Sequence, residues 1–270
     1  MRPDFNGILA RGRRYNFHTH TQFCDGRNSV AEMAAAAAEA GLEHVGFTPH
    51  SPICIESPCN MSAADVPLYF REVDEANARH EGQCRFYKGM EIDYLGPEHN
   101  AASPYYTDLG LDFSISSVHF IPAQNGALID IDGHYDRFAR NLAEHFHNNL
   151  RYVVSTYFEQ SMAMLAIGGF DILGHFDKIA QNASYDQPGI EQQGWYNDLL
   201  DAYVSEIIKS GKIVEINTKA RIQHGRFFPH ERLWPRLIEG GVRLMVNSDA
   251  HYADRLDMSR GEAFAILDAT

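Results

Sequence analysis

The chain has 270 residues, enough for one large α/β unit, and its 44% hydrophobic and 22% charged residues allow an ordinary large core. Thirty-six acids against 23 Lys and Arg give a formal charge of −13, which argues against a nucleic-acid partner because basic stripes are what neutralise phosphates. The same balance disfavours a phosphorylated substrate unless something cationic sits in the site, and the 14 His residues suggest what that is.

In chain order, Met1–Arg14 is polar and basic and lacks the apolar segment of a signal peptide. Arg14–His18 and His44–Phe47 read as strands flanking a helix over Ser29–Gly41, with Ser29 and Glu32 as a capping box and Gly41 as its stop. The longest run of small apolar residues, around Met33–Ala38, is too short for a bilayer, so a cytoplasmic protein with no membrane partner is expected. Ala63–His80 reads as a helix, Arg85–Glu91 and Asp112–His119 as strands, and Tyr135–Leu150 and Val153–Ile167 as helices. Phe170–His175, Lys212–Asn217 and Val242–Ser248 follow as strands, alternating with helices over Glu191–Ser210, His230–Glu239 and Arg260–Asp268. About seven strand–helix units run through residues 1–270 with no linker, which predicts one domain with a parallel sheet closed into a barrel. An open doubly wound sheet is the rival architecture, but no Gly-x-Gly-x-x-Gly follows the first strand to support it. Cys24, Cys54, Cys59 and Cys84 form no Cys-x-x-Cys pair and are expected to be reduced thiols.

The metal-binding residue types fall at one end of these strands. His18 and His20 close the first, and side chains two apart on a strand point the same way, so both rings can reach one ion. Asp25 follows, with Gly26 permitting a tight turn back towards the site. His50 ends the second strand, Glu91 the third, His119 the fourth and His175 the next, and the last delivers Asp249 and His251. A lone strand histidine is usually a hydrogen-bonded core residue, but in a barrel all these ends converge on one mouth. Imidazole with carboxylate suits Zn, Mn or Fe. Catalytic zinc typically takes about three protein ligands, so this set suffices for two or three divalent ions. Three carboxylates against that many cations leave a positive pocket in an acidic protein. Clustered divalent metals suit displacement at phosphorus, because they acidify water and stabilise phosphoryl and leaving oxygens.

At these residues the sequence resembles the polymerase-and-histidinol-phosphatase (PHP) family, with the His-x-His, the Asp-Gly, the strand-end histidines, the glutamate and the Asp-x-His all in order. Within the family it is similar to the monofunctional histidinol-phosphatase branch, through Ser116-Ser117-Val118-His119-Phe120-Ile121 and Ile129-Asp130-Ile131-Asp132-Gly133. The resemblance implies a distorted seven-stranded (β/α)7 TIM-like barrel holding three metals at the C-terminal ends of its strands. His18, His20 and Asp249 would hold one ion, Glu91 would bridge it to a second bound by His119 and His175, and Asp25, His50 and His251 would hold the third. It also implies a hydroxide between two metals as the nucleophile, with L-histidinol phosphate hydrolysed to L-histidinol and phosphate.

Further candidates surround this set. Arg221 and Arg226 follow Asn217-Thr218, where family members place an arginine that meets phosphate, and two parallel hydrogen bonds from either would suit one. Lys178 is a third phosphate candidate, and Asp177 is placed to orient a ligand or protonate a leaving group. His145, His147, His224 and His230 read as surface histidines, and Trp195 and Trp234 as core or rim packing. The rival functions are a PHP phosphoesterase acting on another small phosphomonoester or a nucleotide phosphodiester, and a non-catalytic metal-binding regulatory barrel. All nine ligand positions are filled, which disfavours the last.

Overall fold

The computed structural model describes residues 1–270. Ten short strands alternate with helices: β1 (Tyr15–Asn16), β2 (His44–Phe47), β3 (Arg85–Lys88), β4 (Glu91–Asp93), β5 (Ile115–Ser117), β6 (Phe120–Pro122), β7 (Leu128–Asp130), β8 (Ile172–Leu173), β9 (Ile213–Asn217) and β10 (Arg243–Asn247). Two parallel arrays, β1-β2-β3 and β4-β5-β8-β9-β10, contain every strand except the antiparallel hairpin β6-β7. Gly89 and Met90 separate β3 from β4, so one passage of chain pairs first with β2 and then with β5. The seams between the arrays are bridged. His50 pairs with Glu91 on one side, and Thr19 pairs with Ala250 on the other, where the His20 amide donates to the Ala250 carbonyl at 2.8 Å. With β3 and β4 counted together, seven parallel strands form a distorted ring.

Local chemistry accounts for the helices around it. Ser29 accepts from the Glu32 amide while the Glu32 carboxylate accepts from the Ser29 amide, which satisfies two exposed donors at the start of Val30–Glu39. Gly41 just beyond takes φ +72°, a value open to glycine at little cost. Helix Leu150–Ile167 turns Val153, Val154, Tyr157, Phe158, Met164 and Leu165 inward, and its neighbour Gly194–Ser210 buries Tyr196, Leu200, Tyr203 and Ile207. No helix is long and apolar enough to cross a membrane.

Two apolar clusters make up the core. The larger lies largely between strands and helices; the smaller draws Phe17, Tyr87, Phe113, Ile115, Ile172, Ile213 and Met245 together from strands all around the ring. Phe113 fills the space beside two glycines: a Cβ at Gly46 or Gly89 would lie 2.3 or 2.5 Å from its Cζ. Phe5, on helix Phe5–Arg11, meets Phe17 and Phe113 edge-on, with ring centroids 5.0 and 5.9 Å away.

Several expectations need correction. The strand over Arg85–Glu91 breaks at Gly89-Met90, and that over Asp112–His119 shrinks to Ile115–Ser117. The helix over Tyr135–Leu150 ends at Phe146, because His147 and Asn148 turn to φ values of 53° and 57° that no α-helix accommodates. The N-terminal helix, the β6-β7 hairpin and helix Ile179–Asp186 had no strong periodicity to announce them. All four cysteines are unpaired.

Candidate metal centre

The strand ends and the Asp25 turn bring all nine expected donors into one cluster, six of them buried and Asp25, His50 and His251 partly exposed. His18 and His20 lie just past β1 with ring centroids 5.1 Å apart, and His20 stacks on His251 at 4.1 Å. Four groups, linked through His20, His50 and His119, each place donor atoms within reach of one ion: His18, His20 and Asp249; His20, Asp25, His50 and His251; His50, Asp93 and His119; and Glu91, His119 and His175. Glu91 stands between them. Its Oε2 is 3.2 Å from His18 Nε2, 3.6 Å from His20 Nε2 and 3.2 Å from His50 Nδ1, whereas its Oε1 is 2.9 Å from His175 Nε2 and 3.5 Å from His119 Nε2. Asp25 Oδ1 is 3.2 Å from His251 Nε2 and 3.9 Å from His50 Nε2. Gly26 holds that turn through close approach, not through a special φ: a Cβ there would lie 2.4 Å from the Thr21 nitrogen.

A second layer of buried polar residues, which the sequence reading missed, orients these donors. Glu215 Oε1 accepts from His18 Nδ1 at 2.6 Å and from Asn247 Nδ2, and its Oε2 accepts from the His175 amide and Asn217 Nδ2, each of the last three at 3.1 Å. Four donors thus satisfy one fully buried carboxylate, which fixes His18 with Nε2 facing the cluster. Asp93 does the same for His119, accepting from its Nδ1 at 2.6 Å. Ser117 donates to Glu91 Oε1 at 2.8 Å, and Asn217 to Asp249 Oδ2 at 3.0 Å. Asp249 itself sits at φ +51°, a conformation that aspartate tolerates better than most residues. The signals were present. Glu215 is the lone acid in Ile-Val-Glu-Ile-Asn, and Asp93 repeats the two-residue spacing after Glu91.

The donor atoms themselves call for cations. His18 Nε2, His20 Nε2 and Asp25 Oδ1 are buried without a hydrogen-bond partner, and the Nε2 atoms of His119 and His175 face each other at 3.4 Å. Inward-facing lone pairs are unfavourable unless positive charge stands among them. Protons compensate unevenly. Burial opposes the charge on Glu91, yet His18, His50, His119 and His175 hold its carboxyl well below the usual range. Burial likewise opposes a charged His119, but Glu91 and Asp93 push its pKa up to about 9. His20 lies well below the histidine range, because burial and the neighbouring His251 and His50 disfavour its charge. Nitrogen and oxygen donors in this density fit divalent transition ions.

The remaining candidates are placed as follows. Lys178 Nζ donates to Asp132 Oδ2 at 2.6 Å, beside the cluster, since the same carboxylate lies 4.0 Å from His119 Nε2. Arg221 is not brought in. Its guanidinium bonds Glu262 at 2.5 Å and the Gly225 carbonyl at 2.7 Å and lies over the Phe227 ring, with none of the nine donors among its partners. Arg226 is also committed elsewhere, to Glu191 at 2.9 Å and Asp177 at 3.2 Å. Asp177 Oδ2 accepts from Arg226 and the His230 amide, and none of the nine donors is among its hydrogen-bond partners. His145, His147 and His224 are exposed, His230 is half-buried, and Trp234 is fully buried. Lys219, which the sequence reading passed over, places Nζ 3.3 Å from Asp249 Oδ1 and 3.2 Å from His251 Nε2. An open cavity of about 630 Å³ lies in the 53–62 loop after His50, and Asn60 on its wall donates to Asp93 at 2.8 Å.

Comparison with known proteins gives a consistent picture. The model of the PHP domain matches residues 16–219. A Deinococcus radiodurans protein named "Probable histidinol-phosphatase" is 24% identical over 238 residues, covering 87% of this chain and 85% of its own. A Listeria monocytogenes structure described as "putative histidinol phosphatase hisK" superposes with TM-score 0.80 at 19% identity, over 93% of this chain and 99% of that one. A Lactococcus lactis histidinol phosphate phosphatase, solved with Zn, L-histidinol and phosphate, superposes with TM-score 0.68 at 17% identity, over 95% of this chain and 93% of that one.

Proposed function

The chain belongs to the PHP domain family, and from that premise we propose that it is a metal-dependent phosphomonoesterase hydrolysing L-histidinol phosphate to L-histidinol and phosphate. The observation that carries this reading is the convergence of nine imidazole and carboxylate donors on one mouth, with the two oxygens of Glu91 facing different groups of them. Histidinol as the alcohol is supported by the names of the relatives and by the ligands of the Lactococcus lactis structure.

His18, His20 and Asp249 would hold one ion, His119 and His175 a second shared through Glu91, and Asp25, His50 and His251 a third. When bound, such ions acidify water and polarise phosphoryl oxygens. The protein's own part is to fix the donors. Glu215 and Asp93 lock two imidazoles in the tautomer that leaves Nε2 free, and Ser117 and Asn217 each hold one carboxylate oxygen in place. Donors held by such hydrogen bonds before the reaction would need little reorganisation during it. The recess in the 53–62 loop, tied to the centre through the Asn60–Asp93 hydrogen bond, would take the alcohol.

The test is a panel of phosphoesters offered to metal-loaded protein. L-histidinol phosphate should give the highest kcat/KM, other small phosphomonoesters less, and diesters none. Preference for a diester or for an unrelated monoester would replace the substrate while leaving the metal centre in place.

A further inference from the structure

The cation that meets the substrate's phosphate has to be free of other partners when the centre is loaded, and that condition separates the four candidates. Arg221 is held by Glu262 and Gly225, and Arg226 by Glu191 and Asp177. Lys178 carries its own counter-ion, Asp132. Lys219 has none. The only groups its ammonium touches are Asp249 Oδ1 and His251 Nε2, both of them donors of the cluster.

Its position is also built. The Lys219 amide donates to Asn217 Oδ1 at 3.0 Å, and the same asparagine holds Asp249 Oδ2 from Nδ2. One side chain therefore registers both the lysine and the carboxylate it overhangs. The Lys219 side chain keeps 40% exposure while Asp249 keeps 2%, so the ammonium stands between solvent and the buried donors. Once divalent ions take up Asp249 and His251, an ammonium some 3 Å from both would be left against like charge. An anion between ammonium and ions relieves that repulsion.

We propose that Lys219 is the substrate-binding residue for the phosphoryl group, lying on the Asp249–His251 side of the centre and filling the role for which the sequence offers Arg221, Arg226 and Lys178. The inference rests on the phosphomonoesterase reading above. Ammonium supplies a point charge, whereas guanidinium supplies a planar two-point contact, so orientation of the phosphate falls to the ions and Lys219 adds affinity.

Equilibrium binding of inorganic phosphate to metal-loaded protein tests this, alongside metal content and steady-state kinetics. Lys219→Ala should retain the parent's ions but bind phosphate at least about tenfold more weakly, the scale of a lost charged hydrogen bond, and raise KM more than it lowers kcat. Lys219→Arg, which keeps the charge, should recover most of that affinity. Arg221→Ala should bind phosphate within about twofold of the parent. Unchanged phosphate affinity in Lys219→Ala, or a loss accounted for entirely by missing metal, overturns the assignment. If the parent binds phosphate through Lys219 but turns over no phosphomonoester, the functional reading fails and the assignment stands.

Discussion

Glu91 and Glu215 are both buried glutamates at the same centre, yet they do different work. Glu91 faces five imidazoles and shares its two oxygens among them, so its loss should uncouple the donor groups. Glu91→Gln is expected to lower kcat by at least roughly a thousandfold, comparable to removing a major electrostatic stabiliser. A variant with near-normal kcat and full metal content would remove Glu91 from the bridging position. Glu215 touches no inward-facing donor atom and acts through His18 and the His175 backbone. Glu215→Gln should weaken metal binding by about 10–100-fold, measured by competition with a chelator, while the fold persists. Equal affinity in variant and parent would make Glu215 a purely structural residue. The direct donors were legible in the sequence because strand ends announce them. Their supports were not, since an acid inside an apolar strand reads as an exception until its four hydrogen-bond donors are seen. Arg221 shows the converse: chain position placed it near phosphate, but the helical turn Arg221–His224 aims its guanidinium at Glu262 on the last helix.

Among the elements, the strands are the least regular part. β3 and β4 form one passage whose break at Gly89-Met90 lets the ring change partners and points Glu91 into the mouth. Gly89 within this break and Gly46 on the neighbouring β2 both abut Phe113. Gly46→Ala should therefore destabilise the fold by about 1–3 kcal/mol through overpacking, read as a lower denaturation midpoint with unchanged m-value. A variant as stable as the parent would mean that Phe113 relaxes freely. The helices were largely legible from 3.6-residue periodicity and caps, as at Ser29, Glu32 and Gly41. Strand breaks were not, because they depend on which strand lies alongside, a property of the closed ring and not of any local stretch. The β6-β7 hairpin was hidden for a related reason: its strands are three residues each, too short for a periodicity to show.

The whole molecule reconciles a formal charge of −13 with a site meant for phosphate. The acids at the centre, Asp25, Glu91, Asp93, Glu215 and Asp249, lie among six imidazoles, and orphaned donor atoms remain within. Acids that collect divalent ions are thus an electrostatic means of presenting positive charge within an acidic protein. The ring supplies the rigidity: its seams are closed by Thr19–Ala250 and His50–Glu91, so the pairing that completes the barrel also positions the donors. The most direct test is to strip the protein with a chelator, reload it with Mn or Zn, and count ions per chain while following L-histidinol phosphate hydrolysis. Activity should vanish on stripping and return as two to three ions bind. Full turnover by metal-free protein would contradict the account.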